Sequence, residues 1–330
     1  MTYFPEHAEA FQTLLNKLKG QKVAVLGHMR PDGDCIGSQI GFCRVLRATG
    51  VDAVAVNRAP APKTLKPFLA DTPFLEVGDF EPHGYVAVQV DCADPIRVGQ
   101  TLADMFPQPV AQIDHHISNP GFADINIMDA SASATAEILA GLCFDAGLPV
   151  DAATAEAFYI GIATDTGQFR FPSTSQKVFD ICSRLIRCGA RPAFAAEVLY
   201  ENESFAKLDL LQRFLSTLSL ECEGRVCIGR LPQSFFTETG STRDDAEGLV
   251  DYARAIQGVE IGLLLEDRED GLKGSFRSKD PKYRVDQLAV EFGGGGHACA
   301  AGFNQKYLQI DAFYPRIVAA IARHLQKIDS

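Results

Sequence analysis

The sequence predicts an α/β chain, with a doubly wound, parallel-sheet domain, a smaller α/β domain after it, and an active cleft between them. Three features carry that expectation. Short β-branched runs alternate with helical patterns through the first half of the chain. Each run ends in turn residues or in a polar motif. A further β-like run, Val259 to Leu265, and a closing helix, Asp311 to Ile328, lie beyond a helical connection.

Taken in order, helix His7 to Lys19 leads into a strand at Val23 to Leu26, and helix Ile36 to Thr49 leads into a strand at Val51 to Val56. Strands at Tyr85 to Asp91 and Val110 to Asp114 follow, each an apolar run closed by an acid. Helices are then expected at Ala132 to Ala146, Ala152 to Ala163 and Ser175 to Cys188, the last with Gly189 as C-cap. The expected division is 1–189 for the first domain, 190–215 for a helical linker around the polar insert Glu201-Asn-Glu-Ser204, and 216–330 for the second.

Composition narrows the classes. With 330 residues, 46% of them hydrophobic, the chain is long enough for two cores. No apolar stretch reaches the length of a membrane helix, and the start, Met-Thr-Tyr-Phe-Pro-Glu-His, lacks the layout of a signal peptide, so the expected location is the cytoplasm. The 9 cysteines are scattered, with no CxxC pair, which speaks for reduced thiols and against a disulfide framework or a zinc-thiolate site. A formal charge of -11 argues against capture of long nucleic acid by a basic face.

The chemistry concentrates after the strands. "GHMRPDGDCIGS", Gly27 to Ser38, places His28, Asp32 and Asp34 just past the first strand. A turn accounts for Pro31, Asp32 and Gly33 but not for His28. Asp91 closes the strand Tyr85 to Val90, Asp114-His115-His116 closes the strand Val110 to Ile113, and Asp165 follows the apolar segment Phe158 to Ala163. Each has a bland reading as a turn or surface residue. Together they bring His and Asp from separate segments to the carboxyl edge of one sheet, where doubly wound folds bind ligands. So many carboxylates and imidazoles suit two divalent ions with one bridging carboxylate, and a ligand set without thiolate favours manganese-like metals.

These motifs, with Thr164-Asp165-Thr166-Gly167, resemble the DHH phosphoesterase superfamily, and "GSFRS" (Gly274 to Ser278) with "GGGGHACAAGF" (Gly293 to Phe303) resembles its DHHA1 partner domain, in the pattern of the nanoRNase/pAp phosphatase subfamily. RecJ-type exonucleases usually carry Asp where this chain has His28, and family II pyrophosphatases lack the Gly-rich His element. The resemblance implies that His28, Asp32 and Asp91 hold one metal, and that Asp34, Asp91, His115 and Asp165 hold the other, with Asp91 as the bridge. It also implies that Asp114 orients a neighbouring imidazole, and that His116 faces the substrate phosphate. Two ions, manganese foremost, would activate a water for in-line attack on phosphorus. Cys35 departs from the family's more usual Ala and adds a thiol beside two ligands, a point open to oxidation.

Substrate contacts are expected from the second domain. Gly293 to Gly296, with Gly294, Gly295 and Gly296 as contacts, reads as a backbone nest before His297 and a small-residue helix, Ala298 to Ala301. Arg277, with Ser275 and Ser278, reads as a phosphate clamp, Arg170 is a further candidate, and Lys273, Lys279, Lys282 and Arg284 add positive charge. The implied activity is hydrolysis of oligoribonucleotides of about two to four units, which suit a cleft without a long basic track, and removal of the 3′-phosphate from adenosine 3′,5′-bisphosphate. A phosphodiesterase for linear or cyclic dinucleotides and a non-catalytic RNA-binding protein are the alternatives. No membrane or long nucleic acid is an expected partner, and the sequence leaves open whether the chain forms a homodimer.

Overall fold

The computed structural model describes residues 2–329, with the backbone alone for His297. It falls into two compact units, Met1–Asn202 and Glu203–Ser330. The first holds a sheet of strands β1 (Lys22–Leu26), β2 (Asp52–Asn57), β3 (Phe74–Glu76), β4 (Tyr85–Val90), β5 (Ala111–Asp114) and β6 (Ile125–Met128). Their order is β3-β2-β1-β4-β5-β6, and every neighbouring pair is parallel. The order reverses between β1 and β4, and this switch point opens a crevice beyond the strand ends.

Both faces of the sheet are covered, which is why its central strands read as unbroken apolar runs. Val23 and Val25 of β1 enter the larger core, while Ala24 and Leu26 enter the smaller one on the opposite face. The larger core is closed by helices α1 (Ala8–Leu18), α2 (Gly33–Ala48), α4 (Thr135–Asp145), α5 (Ala152–Asp165) and α6 (Gln176–Cys188), and the smaller by α3 (Gln100–Met105). Helices α2 and α5 pack so closely that a Cβ on Gly37 would lie 2.4 Å from the Ala157 carbonyl oxygen. Glycine is therefore required at 37 to let the two backbones meet. Gly189 caps α6 at φ +112°, as its position after the last apolar residue predicts.

The stretch expected as a linker, 190–215, is divided between the units. Helix α7 (Pro192–Tyr200) buries Ala195 in the first unit's core, whereas α8 (Phe205–Ser216) buries Leu210 and Phe214 in a core of the second. The break falls at the polar insert 201–204.

The second unit has its own six-stranded sheet, built from β7 (Ser219–Glu221), β8 (Val226–Leu231), β9 (Ile261–Arg268), β10 (Gly271–Ser278), β11 (Gly295–His297) and β12 (Ala300–Lys306). The order is β11-β12-β10-β9-β8-β7, with β8 and β9 parallel and the other pairs antiparallel. Helices α9 (Gln233–Thr239) and α10 (Leu249–Ala255) pack with α8 on one side, and α11 (Val285–Glu291) and α12 (Ile310–Asp329) on the other. The helix expected at Ala298 to Ala301 does not form. That segment is the turn and first residues of a hairpin, because Gly296 and His297 pair with Ala301 and Ala300. Small residues without a 3.6-residue pattern give a helix no face to bury. Among the described residues no helix is long and apolar enough to cross a membrane.

One cap ties the helical layer together. Asp151 accepts a hydrogen bond from the Thr154 amide at 2.8 Å at the start of α5, and another from Arg44 of α2 at 2.7 Å. The Arg44 contact, against the opposing effect of burial and with help from Thr154, holds the Asp151 carboxyl down at about 2. A depressed value means that its stabilisation is complete above the unfolded carboxylate value and disappears as pH falls through the folded one. Asp151→Ala should therefore cost about 1 kcal/mol at neutral pH. Denaturant unfolding of both proteins across acid pH should show the difference shrinking between about pH 4 and about pH 2.

Candidate metal centre

The crevice at the switch point is lined by residues at and just beyond the carboxyl ends of β1, β4 and β5. His28 comes two residues after β1, Asp91 directly after β4, and Asp114, His115 and His116 at and after the end of β5. Asp32 is the N-cap of α2, where its Oδ1 accepts from the Cys35 amide at 3.0 Å. That cap starts the helix at Gly33, three residues before the expected Ile36. Asp165 is the last residue of α5.

Asp91 sits at φ +57°, in the left-handed region that few residues other than glycine tolerate, and Asp is among those few. Its two oxygens serve different imidazoles. Oδ2 lies 3.4 Å from His28 Nε2, and Oδ1 lies 3.7 Å from His115 Nε2. Thr135 donates its hydroxyl to Oδ1 at 3.2 Å. His28 Nε2 is also 3.6 Å from Asp32 Oδ2. On the other side, His115 Nε2 is 3.8 Å from Asp34 Oδ2 and 3.3 Å from Asp165 Oδ2. The residues expected as ligands thus come together, as one group around His28 and another around His115, with Asp91 between them.

Asp34 is fully buried. Its carboxylate accepts from the amides of Thr135 and Ala136 at 2.7 and 2.9 Å, at the N-terminus of α4, and from the Ser38 hydroxyl at 3.2 Å. A helix N-terminus carries partial positive charge, which suits an anion. Glu137 holds this turn in place by accepting from the Ser133 amide and hydroxyl at 2.6 and 2.8 Å. Even so, burial first, and then the charges of Asp91 and Asp165, push the Asp34 carboxyl well up. Burial, Asp32 and Asp91 do the same to Asp165. Among the described residues none of Asp32, Asp34, Asp91 and Asp165 has a Lys or Arg partner in an ion pair. Crowded carboxylates and imidazoles without cationic side chains fit divalent ions, whose charge would supply the missing compensation.

His116 is held differently. Its Nδ1 lies 2.7 Å from Asp114 Oδ1, and this bond, against the effect of burial, raises the imidazole. The buried Asp114 is lowered in turn, because His116 and then Asn119 outweigh burial. Asn119 donates to Asp114 Oδ2 at 2.6 Å and to the Cys92 carbonyl at 3.0 Å. Cys35 is buried, and burial pushes its thiol up to about 11 against the pull of His28. It is not the exposed, low-pKa thiol that oxidation favours.

The residues expected to contact substrate divide. In the first unit, Arg170 donates through Nε to its own loop at Gly167 O, 2.7 Å away. In the second unit, Lys273, Ser275 and Arg277 share one face of β10, because alternate residues of a strand point the same way. Ser278 does not join them. It is buried on the opposite face and donates to the Asp280 carbonyl at 3.2 Å, so a phosphate clamp through its hydroxyl is ruled out by the strand's period. Arg277 donates to the Phe276 carbonyl at 2.9 Å and, among the described residues, has no acid partner. Arg284 is occupied by Asp286 at 2.7 Å. The glycine nest is reduced, since the amides of Gly293 and Gly294 donate to Val290 and Ala289 at the end of α11. Gly295 and Gly296 lie on the edge strand β11, and the side chain of His297 is outside the described residues.

Thr135, Ser38, Asn119 and the Ser133–Glu137 pair escape the sequence reading. Polar residues inside the run Ala132 to Ala136 read as a helix start, and that is the only local signal they give.

Residues 22–162 match the DHH family, N-terminal domain, and residues 224–323 match the DHHA1 domain. The chain is 32% identical over 326 residues to the bifunctional oligoribonuclease and PAP phosphatase NrnA of Thermus thermophilus, covering 98% of this chain and 97% of that one. The chain belongs to the DHH/DHHA1 phosphoesterase family. The Bacillus subtilis protein of the same name is 28% identical over 284 residues, covering 83% of this chain and 86% of the relative. The family fold extends to an exopolyphosphatase-related protein from Bacteroides fragilis, with a TM-score of 0.90, 23% identity and 98% of each chain covered. Exonuclease RecJ bound to manganese shares it more distantly, with a TM-score of 0.52, 15% identity and coverage of 96% of this chain and 93% of that one.

The raised carboxylates carry a pH consequence. Their folded form is most stable below the unfolded carboxylate value of about 3.9 and loses stability as pH rises through the raised values. Divalent metal binds the charged forms and should reverse that loss. Thermal unfolding with a chelator and with Mn2+ should show a metal-induced rise in Tm that is larger at about pH 8 than at about pH 5.

Proposed function

We propose that this DHH/DHHA1 protein acts in the cytoplasm as a metal-dependent phosphohydrolase that degrades very short oligoribonucleotides to mononucleotides and also removes the 3′-phosphate of adenosine 3′,5′-bisphosphate. The observation that carries the reading is Asp91, whose oxygens face His28 on one side and His115 on the other. His28, Asp32 and Asp91 hold one divalent ion, and Asp34, Asp91, His115 and Asp165 hold a second, with Mn2+ suited to the oxygen-and-imidazole set. Bound ions supply Lewis acidity and make water acidic enough to act as a nucleophile near neutral pH.

The protein's own groups do the rest. Asp114 fixes the His116 ring through Nδ1 and favours its protonated form, which places positive charge for a phosphate oxygen. Arg277 and Ser275 of β10, with Gly295 across the intervening strand β12, give the second unit a face for substrate phosphate and sugar. The name shared by the Thermus thermophilus and Bacillus subtilis relatives supports this substrate class. The net charge of -11 supports short substrates over long ones.

Asp91→Ala should abolish turnover and reduce bound metal, because both ions lose a ligand. His116→Ala should lower turnover while metal content stays at the wild-type level. Activity of Asp91→Ala above about a tenth of wild type would sink the bridging assignment, since a single metal contact in such a centre is worth at least that factor. Elemental analysis beside a nucleotide-release assay reads both quantities.

A labelled dinucleotide and an RNA of about twenty nucleotides, compared at two salt concentrations, test the substrate class. The dinucleotide should be cleaved much faster, with a shallow salt dependence. Equal or faster cleavage of the long strand with a steep dependence would instead indicate a processive exonuclease.

A further inference from the structure

We propose that Cys35 is itself a metal ligand, its sulfur joining His28 and Asp91 in a nitrogen, sulfur and oxygen set that makes this half of the centre prefer softer divalent ions such as zinc or cobalt over manganese. The proposal rests on the reading of the site as a two-ion centre and concerns only the half around His28.

The cysteines of the first unit are not alike. Cys43, Cys143 and Cys182 pack within the larger hydrophobic core, and Cys92 within the smaller one. Cys35 is equally buried but belongs to neither. Its neighbours are polar. One ligand atom each from His28, Cys35 and Asp91 lie within 4.8 Å of one another, and all three residues are buried. Three ligands gathered that closely, before any ion draws them in, suit a single metal.

The local backbone places the sulfur there. The Cys35 amide is fixed by the Asp32 cap at 3.0 Å, in the first turn of α2. Space for the side chain comes from Gly27, where a Cβ would lie 2.4 Å from Cys35 Sγ. Sγ makes a long hydrogen bond of 3.7 Å to Gln39 Oε1 and also bonds the His28 imidazole, one of the two residues it would join at the ion. The Gln39 contact is weak, and the sulfur's other partner is itself an expected ligand.

The chemistry of ligation is simple. As the sulfur–metal bond forms, the thiol proton leaves to solvent, and no electron changes hands. Thiolate is the softest donor in the centre, so its presence shifts preference along the series toward zinc and cobalt, whereas the Asp34, His115 and Asp165 side keeps donors that suit manganese.

Cobalt reports directly on sulfur ligation. The metal-free protein titrated with Co2+ should develop visible ligand-field bands together with a near-ultraviolet sulfur-to-cobalt charge-transfer band. Cys35→Ala and Cys35→Ser should keep the ligand-field bands and lose the charge-transfer band. Competition with a chelator should show zinc affinity falling by about tenfold or more in both variants, with Mn2+ affinity changed far less. Ligand-field bands without charge transfer in the wild-type protein would overturn the assignment of Cys35 and leave the metal centre standing. So would a charge-transfer band that persists in both variants, since another cysteine would then be its source. Failure of cobalt to bind at all would overturn the metal centre and the proposal with it.

Discussion

Asp34 carries a carboxylate into a place that water does not reach, and the amides of Thr135 and Ala136 are what receive it. The contact fixes more than one side chain. It joins the first turn of α2 to the first turn of α4, so the loop that bears His28 and Asp32 and the turn that bears Thr135 cannot move independently. Thr135 then passes the constraint on, because its hydroxyl meets Asp91 at the end of β4. The tight approach of α2 to α5 at Gly37 brings the last residue of α5, Asp165, into the same frame. A lost amide at that turn would leave a buried charge without compensation, among the most costly defects in a protein interior.

The same arrangement stores electrostatic strain. Carboxylates from α2, α5 and the residue after β4 meet near His115 with imidazoles but no Lys or Arg among the described residues to balance them, and Asp91 adds a backbone conformation that side chains rarely adopt. None of this helps the chain to fold. It is tolerated because the surrounding layers are closely packed, with the central strands buried on both faces and glycines where helices approach. Rigid surroundings hold like charges at separations they would not choose, and the centre is thereby shaped before any ion arrives.

Much of this was legible in the sequence, and for an identifiable reason. Strands covered on both faces must be apolar throughout, so β1, β4 and β5 stand out as runs, and the polar residues that end them mark the crevice. The edge strands β3 and β6 are short and give no such run. The start of α2 was hidden because Pro31-Asp32-Gly33 reads as a turn until Asp32 is seen capping the helix. The hairpin at 295–306 was misread because glycine and alanine carry no periodic signal, and Ser278 because its face depends on a register that local sequence does not state. Asn119, Thr135 and Ser38 act through partners distant in the chain or buried within it, and only the fold brings those partners near.

On the sheet of the second unit, Ala300 and Gly302 of β12 lie in register with Arg277 and Ser275 of β10, and Gly295 of β11 lies beside Gly302. The floor of that face between Arg277, Ser275 and Gly295 is therefore made of hydrogens and methyl groups. Hydrogen-bonding edges distinguish one nucleobase from another, and a floor of this kind offers nothing for them to pair with. If the proposed substrate lies there, a surface built this way is indifferent to letters. It would register sugar, phosphate and length, and treat any text of the right length as the same word.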